Sequence, residues 1–102
     1  MIQVVALVTA KPGMREQILS AYRDNVAAVR AEDGCLSYEA MIDVKDEAPW
    51  FAKFGPDTFV VVEQWASLAA LKAHAGAPHM KAYAAKTKDL IADRAIHVLE
   101  PA

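Results

Sequence analysis

The hydrophobic pattern that most constrains this chain runs from Phe59 to Tyr83. Phe59 to Trp65 alternates as a strand does, with Phe59, Val61, Glu63 and Trp65 on one face and Val60, Val62 and Gln64 on the other. A carboxylate and an indole therefore leave the same side of one strand near its end. Ser67 can cap a helix that carries Leu68, Leu71 and His74 and stops at Gly76, and a second helix restarts after Pro78. Upstream, Ile2 to Ala10 alternates Ile2, Val4, Ala6 and Val8 with Gln3, Val5, Leu7 and Thr9. Both faces are largely apolar, as in a sheet covered on both sides. Lys11-Pro12-Gly13 is turn chemistry. Met14 to about Ala31 predicts an amphipathic helix, its stripe formed by Met14, Ile18, Tyr22, Val26 and Val29, and Glu32-Asp33-Gly34 ends it. Cys35 to about Val44 reads as a second strand and Lys45 to Asp57 as a long connection holding Trp50, Phe51 and Phe54. The last helix is expected from about His79 to Ile91, and the last strand from Arg94 to Leu99.

This order of elements is that of an α+β, ferredoxin-like split β-α-β domain over residues 1–102: a four-stranded antiparallel sheet with helices on one face. The helices leave the other face open although its strand positions are apolar, so the sheet of a second subunit is expected to cover it. A hydrophobic fraction of 55% in only 102 residues points the same way, toward a homodimer. The net charge of −2 and the absence of any basic run leave no electrostatic footprint for nucleic acid. No stretch approaches 18 apolar residues, so no membrane partner is expected. The single cysteine, Cys35, cannot form an internal disulfide, and a reducing, cytoplasmic setting is expected.

The candidate chemistry gathers in the same strand–helix–helix stretch. Glu63, between apolar strand neighbours, is either an ion-paired carboxylate or a buried acid able to hold a proton. Trp65 packs, and its indole could also wall a pocket for a flat ring. His74 flanks the buried stripe of its helix. His79 lies in the first turn of the last helix, with Tyr83 one turn further on the same face. His74 and His79 stand five residues apart across a helix break, which is not a metal-ligand spacing, so no metal is expected. Cys35 reads as a small strand residue. Tyr38 and His97 could face a pocket or an interface, and Asn25 could offer a hydrogen bond from the edge of the first helix.

Three segments carry a resemblance: TAKPG at 9–13, EDGCLSYEAM at 32–41 and VVEQWASLAALKAHAGAPHMKAY at 61–83. With the long 45–57 insertion, they make the chain similar to the antibiotic biosynthesis monooxygenase superfamily, and within it to the small bacterial quinol monooxygenases. The resemblance implies a dimeric α+β barrel packed sheet to sheet, with a pocket between sheet and helices. It also implies oxidation of a quinol or related polyphenol by O₂ without metal, flavin or other cofactor. On that reading His79, His74 and Glu63 are the candidate proton-handling residues. Trp65, Tyr83, Leu71, Met80, Trp50 and Phe54 are the candidate substrate contacts. Haem-degrading relatives use an asparagine on the first strand, and Ile2 to Ala10 has none. Two other classes fit the same residues: a proton-transfer isomerase acting on a small carbonyl compound, and a non-catalytic module that binds a small molecule.

Overall fold

The computed structural model describes residues 1–102. They form β1 (Ile2–Ala10), α1 (Arg15–Arg30), β2 (Cys35–Met41), β3 (Thr58–Trp65), α2 (Leu68–Ala75), α3 (Pro78–Thr87), a 3-10 turn (Lys88–Leu90) and β4 (Ile91–Leu99). The strands make one antiparallel sheet in the order β2-β3-β1-β4, and the helices cover one of its faces, the ferredoxin-like arrangement expected from the sequence.

Register decides which residues meet. β1 pairs with β3 so that Val4 lies opposite Glu63, Ala6 opposite Val61 and Val8 opposite Phe59. The period of two then puts these residues, with Ala10 and Trp65, on the helix side, where all are buried. α1 lays Ile18, Leu19, Tyr22 and Val29 onto them to form the core. Burial of each large apolar side chain contributes about 1.5–3 kcal/mol, so this one face carries most of the stability. On the opposite face Val5, Leu7, Val60 and Val62 are only half-buried.

Sheet pairing overrides helix pattern at two places. α3 ends at Thr87, not Ile91, because β1 captures the following residues: the Lys11 N–H donates to the Leu90 carbonyl at 2.9 Å, and Ile91 pairs with Ala10. β2 ends at Met41, its last partner being Val60. Beyond it Asp43 turns the chain, its carboxylate accepting the Phe54 and Gly55 N–H groups at 3.1 and 2.8 Å. Those two backbone donors hold the Asp43 carboxyl below its ordinary range. A register shift between Cys35 and Ser37 turns Leu36 out to solvent and gives Tyr38 the buried position.

The turn after α1 is fitted closely to α2. Gly34 has φ +83°, and its carbonyl accepts the Ala66 N–H at 2.8 Å. A Cβ on Gly34 would lie 2.6 Å from that of Ala70. Only glycine meets both the backbone and the space requirement, and the close approach carries Glu32 beneath α2. We expect Gly34→Ala to lower the melting temperature by roughly 10 °C or more, from left-handed strain and overpacking together. Thermal unfolding measures it, and an unchanged midpoint would mean that the turn yields freely.

Candidate active site

A cavity of about 320 Å³ lies between the sheet and helices α2 and α3. Its apolar floor is Ala6, Val8 and Val61, from the two central strands. Three fully buried polar residues face it: Tyr38 from β2, Glu63 from β3 and His74 from α2. Met80 and Tyr83 from α3 form part of the wall, and the exposed residues Lys81, Lys88 and Arg94 mark the mouth. The volume lies near the small end of ligand pockets and suits a molecule of one or two fused rings.

A connected set of hydrogen bonds runs through the buried residues. The Trp65 indole N–H donates to Glu63 Oε1 at 2.9 Å. His74 Nε2 stands 3.9 Å from that same oxygen. On its other side His74 Nδ1 is 2.8 Å from Glu32 Oε2, and His79 Nε2 is also 2.8 Å from Glu32 Oε2. An ionised carboxylate only accepts, so both imidazoles donate to Glu32. For a neutral His74 this places the proton on Nδ1 and leaves the Nε2 lone pair directed toward Glu63. The ring is held between two aromatic groups, Trp65 at 4.5 Å and Tyr38 at 5.7 Å between centroids.

Burial sets the electrostatics. Loss of water raises the Glu63 carboxyl above its ordinary range, with the Trp65 N–H, His74 and Arg94 opposing the rise and Glu32 adding to it. Burial, assisted by the charge of Glu63, pushes the Tyr38 phenol far up. The Tyr83 phenol is pushed up to about 12 by burial, against the pull of Arg94. Both phenols therefore remain protonated hydrogen-bond donors at neutral pH. Neither hydroxyl has a protein partner, yet no buried side-chain oxygen or nitrogen is sealed without one, so both reach open space.

Of the residues singled out in the sequence, Glu63, His74, Met80 and Tyr83 meet at this cavity. His79 does not line it. Its ring lies in the α1–α3 groove beside Asp24, Asn25 and Lys86, 29% exposed, and joins the cavity group only through Glu32. Trp65 is fully buried behind Glu63, and Leu71 packs against the core. Trp50 and Phe54 are 84% and 58% exposed in the long loop and stand away from the cavity. Tyr38 faces the cavity, whereas His97 lies opposite Val5 and so on the other side of the sheet. Asn25 donates to the Met80 sulfur at 3.3 Å. No three His, Cys, Asp or Glu side chains gather as metal ligands, because both histidines turn their nitrogens onto one carboxylate oxygen.

Glu32 is a candidate site residue that the sequence pattern marks only as part of a helix end. Its signal was electrostatic: an acid just past the C-terminus of a helix opposes the helix dipole, and such a residue needs a compensating partner.

Comparison with known proteins places this geometry in context. A family model described as antibiotic biosynthesis monooxygenase matches residues 1–86. A protein of Escherichia coli strain K12 described as "Probable quinol monooxygenase YgiN" is 36% identical over 103 residues, covering 99% of this chain and 98% of that protein. Among solved structures, PA3566 from Pseudomonas aeruginosa superimposes with a TM-score of 0.80 at 30% identity, over 99% of this chain and 93% of that one. A structure described as an antibiotic biosynthesis monooxygenase gives a TM-score of 0.82 at 27% identity, over 100% and 99%.

The raised Glu63 carboxyl has a consequence for stability. The folded state holds this proton more tightly than the unfolded chain does. That contribution is complete below the ordinary value of 4.5 and is lost as pH rises through the higher folded value. Glu63→Gln removes the penalty of the buried charge, and its amide oxygen can still accept from Trp65. We expect its melting temperature, relative to the native protein, to rise as pH is raised above 4.5 and to level off once pH has passed the higher folded value. A difference in melting temperature that does not change with pH above 4.5 would contradict the assignment.

Proposed function

The chain belongs to the antibiotic biosynthesis monooxygenase family and has a monooxygenase-type function, and on that premise we propose that it oxidises a quinol or related polyphenol with O₂, without metal or flavin. The observation that carries the reading is the buried Glu32–His74 pair, whose imidazole lines a cavity of aromatic dimensions beside Glu63. The name of the Escherichia coli relative supports the substrate class.

The reaction balances without an outside reductant. A quinol gives two electrons in becoming a quinone, and hydroxylation of one ring C–H gives two more. O₂ takes all four, leaving one oxygen on the ring and one in water. Direct reaction of O₂ with a neutral quinol is slow, so the protein's task is to make the quinolate in a dry site. His74 Nε2 is the base. Glu32, through Nδ1, is the positioning residue that fixes the tautomer and steadies the imidazolium. Glu63 balances that cation from the other side. Tyr38 and Tyr83 donate hydrogen bonds to ring oxygens, and Met80 forms part of the apolar wall. Trp65 holds Glu63, and His79 offers Glu32 a route by which the proton leaves toward the α1–α3 groove. The half-buried outer face of Val5, Leu7, Val60 and Val62 supports assembly as a homodimer through the sheets.

Two experiments test this. Oxygen uptake by the metal-chelated protein with menadiol is expected to exceed a no-protein blank. His74→Ala should lower kcat about 10²-fold or more with a smaller change in KM, and Glu32→Gln about tenfold. Uptake equal to the blank across a panel of quinols would overturn the reading in favour of isomerisation or simple binding. Light scattering after gel filtration should give twice the chain mass, and Val62→Lys should halve it; a monomeric native protein would refute the dimer.

A further inference from the structure

The mouth of the cavity carries a charge pattern that oxidation of a neutral quinol does not require. Lys81 and Lys88 lie seven residues apart on one stripe, with the small side chain of Ala84 between them. Arg94 faces them from β4, opposite Val8 and therefore on the helix side of the sheet. All three line the cavity and none is ion-paired. Of the Lys and Arg side chains only Arg23, Arg30 and Lys86 are ion-paired, so what sets Lys81, Lys88 and Arg94 apart is that they share one opening. Acids outnumber bases in the chain, 13 to 11, so three cations and a single carboxylate around one cavity reverse the balance of the composition. Their neighbours in sequence, Asp89 and Asp93, do not line the cavity.

The deep end has the opposite sign. Glu63 is the one carboxylate in the lining, and Glu32 stands behind His74. The cavity is therefore polarised along its length, negative inside and positive at the opening. Arg94 is close enough to favour the ionised forms of both Glu63 and Tyr83, so its field reaches the interior. An aromatic molecule with a hydroxyl at one end and an acid at the other has one favourable orientation here. Its anion stays at the mouth, repelled from Glu63, and its hydroxyl enters first, toward His74.

We propose that Lys81, Lys88 and Arg94 form an anion subsite and that the substrate is an aromatic compound bearing a carboxylate or comparable acidic group. The inference rests on the oxidation reading for the identity of the substrate but not for its charge. Charged hydrogen bonds from this trio should favour an acid over its uncharged amide by about tenfold or more at low salt.

Calorimetric titration of the full chain with 2-naphthoate and with 2-naphthamide separates charge from ring shape, since neither compound is a quinol. The naphthoate is expected to bind about tenfold more tightly, with the advantage shrinking as salt is raised. Arg94→Met and the double variant Lys81→Met/Lys88→Met should each reduce it, while Lys45→Met, in the distant loop, should not. These residues are exposed, and melting curves confirm that each variant is folded. Equal binding of the two compounds, no binding of either, or an advantage unaffected by these variants would overturn the subsite. Loss of the naphthoate advantage while menadiol is still oxidised would leave the oxidation reading standing alone. A clear advantage with no quinol oxidised would keep the subsite and reject the oxidation.

Discussion

One carboxylate oxygen, Glu32 Oε2, ties together the parts of this protein that have chemistry in them. It receives a nitrogen of α2 and a nitrogen of α3 at 2.8 Å each, from a turn that leaves α1. Glu32 sits against the dipole of its own helix and is only 13% exposed, so it requires those two donors as much as they require it. The tautomer of His74, and with it the direction of the free lone pair, follows from this bond. His79 ties α3 to the same oxygen. The close approach of Gly34 to Ala70 is what lets the turn come near enough for the bonds to form.

Around that bond the sheet supplies the second requirement, an apolar-floored and polar-edged cavity. The alternation of β3 sends Glu63 and Trp65 to the same side as the core, and β1 places only Ala6 and Val8 beneath the cavity, small enough to leave room. Charges act more strongly there than in water, which is why burial moves Glu63, Tyr38 and Tyr83 in the direction of their neutral forms. An imidazole held by a carboxylate behind it, with its second nitrogen unprotonated, is the arrangement such a cavity needs in order to remove a proton.

The sheet and the first helix were legible because their signals are local. Period two across Phe59–Trp65 and the 3.6 period across α1 each name a face without reference to the rest of the chain. The ends of β2 and α3 were not, since strand pairing elsewhere decides them. The site was legible in its residues but not in its connections. α3 packs against the cavity on one side and α1 on the other. Helical spacing alone therefore could not tell that Met80 faces the first, His79 the second, and Tyr83 both. Lys81, Lys88 and Arg94 each look like solvated surface in the sequence, and only the return of β4 beside β1 brings them to one opening. Trp50 and Phe54 were expected among the substrate contacts because aromatic residues are seldom left in water. The anchors at Asp43 instead fix the loop with both rings outward.

Glu63 and Trp65 also show why the site resists simplification. Their residue types are two apart on one strand, and each meets a need of the other. The indole is fully buried, and its N–H would be an orphan without Glu63 Oε1. The carboxylate is raised by burial and would be raised further without that N–H. An apolar residue in place of Glu63 would remove one penalty and create another of similar kind. An amide would satisfy the indole but could not balance an imidazolium at His74. Structure alone would accept glutamine at this position, and it is the proposed reaction that calls for a carboxylate.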